Sequence, residues 1–136
     1  MIQQPKRLKF RKPHGTMPDN KKPVVDSLAF GSFGIMSIEN ALVNANQLDA
    51  ARRAIVGYVK RKGKLWMKVF PDRPITKHPA ETRMGSGKGD IDRYAAVVKK
   101  GRILFELGGV EEKDAVEAFR RAAHKLSVKV KVVKKQ

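Results

Sequence analysis

The stretch RILFELGGVEEKDAVEAFRRAAHKLSVKVKVVKK, residues 102–135, predicts a strand, a helix and a second strand in succession. Its opening run RILFEL is short and apolar, and YAAVVK (94–99) predicts a neighbouring strand at hairpin-like spacing. Glu111–Leu126 predicts a helix, because its apolar side chains form a continuous stripe and acidic residues crowd its first turn.

The end of the stretch, SVKVKVVKK (127–135), alternates apolar and basic residues and predicts a closing strand. The residues expected to face inward are Val128, Val130 and Val132, and those expected to face outward are Lys129 and Lys131.

Upstream, Asn44 predicts the start of a first helix, with Gln47 at capping-box spacing and Gly63 at the position expected for a C-cap. Before it, LAFGSFGIMSI (28–38) is β-prone but contains Gly31 and Gly34, which predicts a strand with a bulge or a close backbone neighbour.

After the first helix, KLWMKVF (64–70) alternates as a strand with apolar residues on both faces, so one face should meet the core and the other should be partly covered. Residues 71–92 contain three prolines and several glycines and predict a long protruding loop. The resulting β–α–β–β–β–α–β order predicts an α+β domain over residues 25–136, with a mixed or antiparallel sheet and both helices on one face.

The charge of the chain is strongly positive. Among 136 residues, 30 Lys and Arg oppose 13 Asp and Glu, which gives a formal net charge of +17. Such an excess indicates a polyanionic partner, either nucleic acid or an anionic membrane surface. The chain has no cysteine, which excludes disulfides and thiolate metal sites, and no apolar run approaches the ~18 residues of a membrane span. We therefore expect an intracellular, soluble domain.

Residues 1–24 predict an extended basic arm, because prolines interrupt them and cations dominate them. A second group of cations lies along and just after the first helix, where some of them also suit the helix dipole. The arm residues expected to bind RNA are Lys6, Arg7, Lys9, Phe10, Arg11 and Lys12, and those of the helix are Arg52, Arg53, Lys60, Arg61, Lys62 and Lys64.

The glycine-rich stretch TRMGSGKGDIDRY (82–94) raises the question of whose phosphate it would bind. A nucleotide-binding loop needs a hydroxyl residue after Gly-Lys and a helix to follow, whereas here Gly89 and a strand follow Lys88. Arginine and lysine beside glycines that admit close backbone approach suit RNA better.

A catalytic site is not predicted. The three histidines, His14, His78 and His124, are widely separated, and no carboxylate pair or nucleophile–base set stands out. No metal or cofactor is expected. A free RNA- or DNA-binding module outside any large assembly remains a second interpretation of the charge.

Long motifs resemble one known family, the universal large-subunit ribosomal protein sixteen of bacterial and organellar type. They are PKRLKFRKPH (5–14), LDAARRAIVGYVKRKGK (48–64), RKGKLWMKVFPDRPITKHPAETRMGSGKG (61–89) and GRILFELGGVEEKDAVEAFRRAAHKL (101–126). Two positions depart from the family pattern: Ser86 stands where lysine is expected, and Tyr94 where tryptophan is frequent.

The resemblance implies an α/β-hammerhead-like fold and a structural protein of the large ribosomal subunit, in the bacterial cytoplasm or an organelle. Its implied partners are 23S-type rRNA, neighbouring ribosomal proteins, and tRNA at the aminoacyl and peptidyl sites near the peptidyl-transferase centre. The loop residues expected to contact rRNA or tRNA are Lys77, His78, Arg83, Met84, Gly85, Ser86, Gly87, Lys88 and Gly89.

Overall fold

The computed structural model describes residues 2–15 and 22–136, so Met1 and the part of the predicted arm at 16–21 lie outside the described residues. Within the described part, the chain forms two helices and seven strands. In chain order they are β1 (Phe33–Ser37), β2 (Ala41–Asn44), α1 (Ala45–Tyr58), β3 (Lys64–Met67), β4 (Arg73–Lys77), β5 (Asp90–Val98), β6 (Ile103–Gly108), α2 (Glu112–Ala123) and β7 (Val130–Lys134). The predicted α+β class is confirmed.

The strands form two antiparallel sheets where the sequence predicted one. The larger has the order β3-β6-β1-β7, and the smaller has the order β2-β5-β4. The difference arises from β2 and β4, which were not predicted and which pair on either side of the nine-residue β5. Helix α1 packs on α2, β2 and β5, whereas α2 also contacts β1 and β7.

The core lies between the helices and the strands. The predicted stripe of α1 is buried in it, as is most of the stripe of α2, with Ile55 and Phe119 both 0% exposed. Val116, an apolar residue of the predicted α2 stripe, is instead 45% exposed. All six residues of β6 are buried, so this strand forms the centre around which the larger sheet is built.

The predicted N-terminal cap of α1 is confirmed, but its predicted end is wrong. The backbone N–H of Asn44 donates to Oε1 of Gln47 at 3.0 Å, which completes a capping box. The helix ends at Tyr58 with Val59 as its C-cap. Gly63, at φ +72°, lies instead in the turn that follows, where a Cβ would collide with the backbone of Gly108.

The closing strand is shorter than predicted, and one of its inward residues is more exposed than expected. Val128 is buried and Val130 packs against the core, as predicted. Val132 pairs with the buried Ile35 but remains 39% exposed, because β7 is an edge strand of its sheet. Lys129 and Lys131 are exposed, as predicted.

The predicted loop at 71–92 contains more regular structure than expected. Strand β4 lies inside it and β5 begins at Asp90, so the part without strands between them is residues 78–89. Pro74 is accommodated in β4 because β4 is an edge strand, where one N–H is not needed for pairing.

A covering segment, residues 24–31, crosses the outer side of the larger sheet and is pinned to it at several points. The N–H of Val24 donates to the carbonyl of Lys100 at 2.8 Å, and the carboxylate of Asp26 accepts from the N–H of Ile103 at 3.2 Å. Leu28 lies so close to Gly34 that a Cβ there would be 2.5 Å from Leu28 Cδ2. At Gly31 a Cβ would lie 2.8 Å from the backbone oxygen of Leu107, so the predicted close backbone neighbour is confirmed at that glycine, whereas the nearest neighbour of Gly34 is a side chain.

Glu106 of β6 holds the end of this covering segment. Its carboxylate is 0% exposed and accepts hydrogen bonds from the backbone N–H groups of Ala29, Phe30 and Gly31 at 3.1, 2.6 and 2.8 Å. The ammonium of Lys68 lies 3.4 Å away. Burial raises the pKa of Glu106, but the three N–H donors and Lys68 outweigh it, and the net pKa is lowered.

Candidate nucleic-acid interface

The later residues of the arm, 12–15, lie against the loop and the β4–β5 hairpin. The guanidinium of Arg73 donates to the carbonyls of His14 and Gly15 at 3.0 and 2.8 Å. Lys12 donates to the carbonyl of Lys88 at 3.3 Å and lies 3.6 Å from the carboxylate of Asp90. Lys88 in turn donates to the carbonyl of Pro13. The arm and the loop thus form one surface.

Most of the predicted RNA-binding side chains of the arm point to solvent, whereas the side chain of Lys12 is 34% exposed and is directed at Lys88 and Asp90. Phe10 is 72% exposed, and the ammonium of Lys9 lies 5.5 Å from its ring centroid. The other cations of the arm that were predicted to bind RNA, Lys6, Arg7 and Arg11, are exposed as well. An exposed aromatic ring among cations can meet both the bases and the phosphates of an RNA strand.

The strand-free part of the loop, residues 78–89, exposes all of its residues except Gly89. Residues 78–88 are exposed, and the side chain of Met84 has no protection from solvent at 105%. Gly85, Ser86 and Gly87 all have positive φ, at +111°, +66° and +85°. Three successive residues with positive φ cannot form a regular strand, so the backbone N–H groups of the tip take part in no strand pairing.

Gly89 has a different role from the other loop glycines. It is buried at the base of the loop, where a Cβ would lie 2.8 Å from the backbone carbonyl of Lys77. Lys77 pairs with Asp90 at the end of the hairpin. Gly89 therefore lets β4 and β5 close beneath the exposed tip.

The second predicted group, here called the α1–β3 cluster, consists of Arg52, Arg53, Lys60, Arg61, Lys62 and Lys64. Two of its members also have a structural role, because the buried carboxylate of Asp49 pairs with Arg52 at 3.0 Å and Arg53 at 2.9 Å. The hydrogen bond from Arg52 is the largest effect that lowers the pKa of Asp49. The remaining four cations are exposed: Lys60, Arg61 and Lys62 lie between α1 and β3, and Lys64 is the first residue of β3.

The turn after α1 displays its cations through an unusual backbone. Lys60 and Arg61 have φ of +53° and +63°, a region that residues with a Cβ rarely adopt. This conformation reverses the chain within three residues of the helix end and leaves both side chains in solvent.

The predicted residues therefore form two groups and not one. Arg11 of the arm lines a depression with Asn44 and Asn46 at the start of α1, whereas Lys60 follows the opposite end of that helix. Fourteen helical residues separate these ends by about 20 Å. A ligand that met both groups would have to be an extended polyanion.

Sequence reasoning missed one further set of basic residues, at the end of α2 and just beyond it. Arg121, His124 and Lys125 line a groove with Arg53 and Tyr58 of α1. The guanidinium of Arg121 lies 4.6 Å from the ring centroid of Tyr58. Glu117 pairs with Arg121 at 3.3 Å and with Arg120, whose hydrogen bond is the larger effect that lowers the pKa of Glu117 to about 2. The cations at the end of α2 were the feature of the sequence that could have predicted this groove.

The described part of the chain brings together no cluster of metal-binding side chains. Residues 2–15 and 22–136 contain no group of three or more His, Asp or Glu side chains that could hold a metal ion. Within the same residues, no helix is both long and apolar enough to cross a membrane. The residues described are those of a basic α+β domain with cationic surfaces suited to an extended polyanion.

Comparison with known families gives the particular identity. Residues 5–133 match the family model of ribosomal protein L16p/L10e, and the chain belongs to this family. It is thus a structural, RNA-binding protein of the large ribosomal subunit that takes part in translation, and it is not an enzyme. The family resemblance inferred from the sequence motifs is confirmed.

Proposed function

We propose that this protein binds large-subunit rRNA through the arm and the α1–β3 cluster, and that its loop contacts tRNA at the aminoacyl and peptidyl sites near the peptidyl-transferase centre. The family match over residues 5–133 is the observation that carries this proposal. The bacterial cytoplasm is the proposed compartment, and neighbouring ribosomal proteins are further proposed partners.

The two cationic groups support rRNA binding because of their separation. Arg11 of the arm and Lys60 of the α1–β3 cluster are exposed and lie near opposite ends of α1, too far apart for one small anion to bridge. A folded RNA supplies phosphates over such distances, and it neutralises the net charge of +17 that otherwise opposes close packing of the chain.

The loop supports a contact with a second RNA because it contributes little to the core. Arg83 and Met84 are exposed at its tip, next to glycines around which a Cβ would meet nothing within 4 Å. Arginine can meet phosphate or base edges, and an exposed methionine can pack on a ribose or base. Lys77 and His78 lie at the start of this segment and are exposed as well.

Fractionation of cells on a sucrose gradient tests the assembly. We expect the protein to co-sediment with large subunits, and a mostly free pool would favour an independent RNA- or DNA-binding module. Reconstitution of large subunits that lack this protein then tests the individual surfaces.

Deletion of residues 1–12 tests the arm. The slope of log affinity against log salt should become shallower by roughly 0.9 for each duplex phosphate that the protein no longer neutralises, or ~0.7 for each phosphate of a single strand. A variant with five exposed lysines changed to glutamine outside the proposed interface is the charge-matched control: Lys100, Lys113, Lys129, Lys131 and Lys135. An unchanged slope in the deletion would show that the arm does not bind RNA.

A further inference from the structure

A stacked aromatic pair lies outside the arm, the loop and the α1–β3 cluster, except that Lys64 borders it. Phe30, in the covering segment, stacks on Trp66 of β3 with ring centroids 5.8 Å apart and an interplanar angle of 20°. Phe30 remains 62% exposed, although large apolar side chains are usually buried. The fold therefore presents an aromatic ring to solvent at a defined position.

The backbone beneath this ring is firmly held. The N–H of Phe30 and those of its two neighbours are bound to the buried carboxylate of Glu106. Gly31 lies directly against β6, because a Cβ there would be 2.8 Å from the backbone oxygen of Leu107. A ligand that stacked on Phe30 would lose little free energy in ordering the protein.

Cations surround the pair. The ammonium of Lys64 lies 5.4 Å from the Trp66 ring centroid, and that of Lys68 lies 5.0 Å from the Phe30 ring centroid. The charge of Lys68 is balanced by Glu106 at 3.4 Å, whereas Lys64 is exposed at the surface. An aromatic ring beside an exposed cation is complementary to a nucleobase with its phosphate, more than to an apolar peptide.

The geometry points to a stacking site for one unpaired RNA base on the exposed ring of Phe30, which itself stacks on Trp66, with Lys64 at the phosphate of the same nucleotide. This site rests on the proposed rRNA binding and names a place where an unpaired nucleotide is held. Stacking on an aromatic ring tolerates any base, so the site selects an unpaired nucleotide and not a sequence.

Trp66 is the only tryptophan of the chain, so its fluorescence reports on this site directly. The wild-type protein is titrated with a short oligoadenylate and with an abasic oligonucleotide of the same length. We expect the oligoadenylate to quench Trp66 and the abasic strand, which keeps the phosphates, to leave it unquenched. Equal responses to the two strands would overturn the stacking site without any variant being made.

The variant Phe30→Leu removes the ring and keeps an apolar side chain. Its affinity for oligoadenylate should fall about 5- to 100-fold, while its affinity for the abasic strand and its salt dependence stay unchanged. Phe70→Leu is the matched control, since Phe70 is a similarly exposed aromatic at 47% and should behave as wild type. Near-ultraviolet circular dichroism verifies that both variants fold.

The remaining outcomes separate this site from the proposed function. If the wild-type protein binds rRNA in a salt-dependent way and Phe30→Leu binds it equally well, the stacking site is wrong and rRNA binding stands. If the wild-type protein binds no RNA at all, the proposed function is wrong, and so is the stacking site that rests on it. If Phe30→Leu impairs entry into reconstituted subunits but not binding to protein-free rRNA, the surface meets a neighbouring protein and the stacking site is overturned.

Discussion

The covering segment and the strand-free part of the loop, residues 78–89, are both glycine-containing stretches, yet the fold uses them in opposite ways. In and just after the covering segment, Gly31 and Gly34 are required by neighbouring atoms that leave no room for a Cβ. In the loop, Gly85 and Gly87 have nothing within 4 Å of a Cβ but have positive φ. The first pair allows close packing against neighbouring atoms, whereas the second pair allows an exposed backbone to adopt positive φ.

This difference has an energetic consequence. The covering segment is held by a buried charge, so changes there should alter the free energy of unfolding. The loop is held at its base by Gly89 and by contacts with the arm, so changes at its tip should alter RNA binding and leave folding nearly intact.

The largest effect is expected for Glu106→Ala. It leaves three backbone N–H groups and the ammonium of Lys68 without their buried partner, and it should lower the free energy of unfolding by about 3–5 kcal/mol. Urea unfolding measures the loss. Glu112→Ala, which removes an exposed ion pair with Lys134, should cost less than about 1 kcal/mol. A similar small cost for Glu106→Ala would show that the covering segment is not held by this carboxylate.

The pH dependence of stability should reveal the same carboxylate. The pKa of Glu106 is lower in the folded chain than its ordinary value of 4.5. Its contribution is therefore complete above about pH 4.5 and is lost as the pH falls through the lowered folded value. The difference in unfolding free energy between the wild type and Glu106→Gln should shrink over that acid range. A difference that does not change with pH would contradict the assignment.

The next effect concerns Gly31→Ala. The new Cβ would lie 2.8–2.9 Å from backbone atoms of Leu107, so the segment must shift, at a cost of about 1–3 kcal/mol. Gly57→Ala is the matched control, because Gly57 lies within α1 with nothing within 4 Å, and alanine should stabilise the helix by about 0.5–1 kcal/mol. Thermal melting compares the two. Equal melting temperatures for Gly31→Ala and Gly57→Ala would contradict the inference that Gly31 is closely packed and Gly57 is not.

The sequence predicted the local features of the fold better than its long-range contacts. The capping box at Asn44 and the stripes of both helices depend on neighbours a few residues apart. The capping box and the stripe of α1 are confirmed, and the stripe of α2 is confirmed except at the exposed Val116. Strand β4 was missed because Pro74 argues against a strand, and only its place at the edge of a sheet makes proline tolerable there. Edge position follows from the topology and not from local pattern.

The sequence analysis also did not predict that Glu106 binds the covering segment, although the sequence contained an indication of it. Glu106 is an acidic residue inside the otherwise apolar strand β6, and a buried carboxylate needs hydrogen-bond donors. Its donors, however, are backbone N–H groups more than seventy residues away, which carry no side-chain signature. For the candidate site, the sequence indicated the cations of the arm and α1. It could not show that Lys12 and Lys88 join the arm to the loop.

The smallest effect on folding is expected at the loop tip, with Arg83→Ala and Lys88→Ala combined. Both side chains are exposed, so the double variant should change the free energy of unfolding by no more than about 0.5 kcal/mol, or about 2 °C in melting temperature. It should still enter large subunits through the arm and the α1–β3 cluster. A charge-assisted hydrogen bond to RNA is worth at most about 1.5–3 kcal/mol, so tRNA affinity at the aminoacyl site or the rate of translation should fall.

The single variants make this last prediction sharper, because Lys88 also donates to the carbonyl of Pro13 in the arm. If Lys88 acts on tRNA, Lys88→Ala should weaken tRNA binding to reconstituted subunits and leave the salt dependence of rRNA binding unchanged. If it acts by positioning the arm, the salt dependence should change and tRNA affinity should not. Arg83→Ala, at the tip, should affect tRNA alone. Undiminished tRNA affinity and translation in the double variant would leave the loop without its proposed role, and a large drop in melting temperature would show that the tip, like the covering segment, serves the fold.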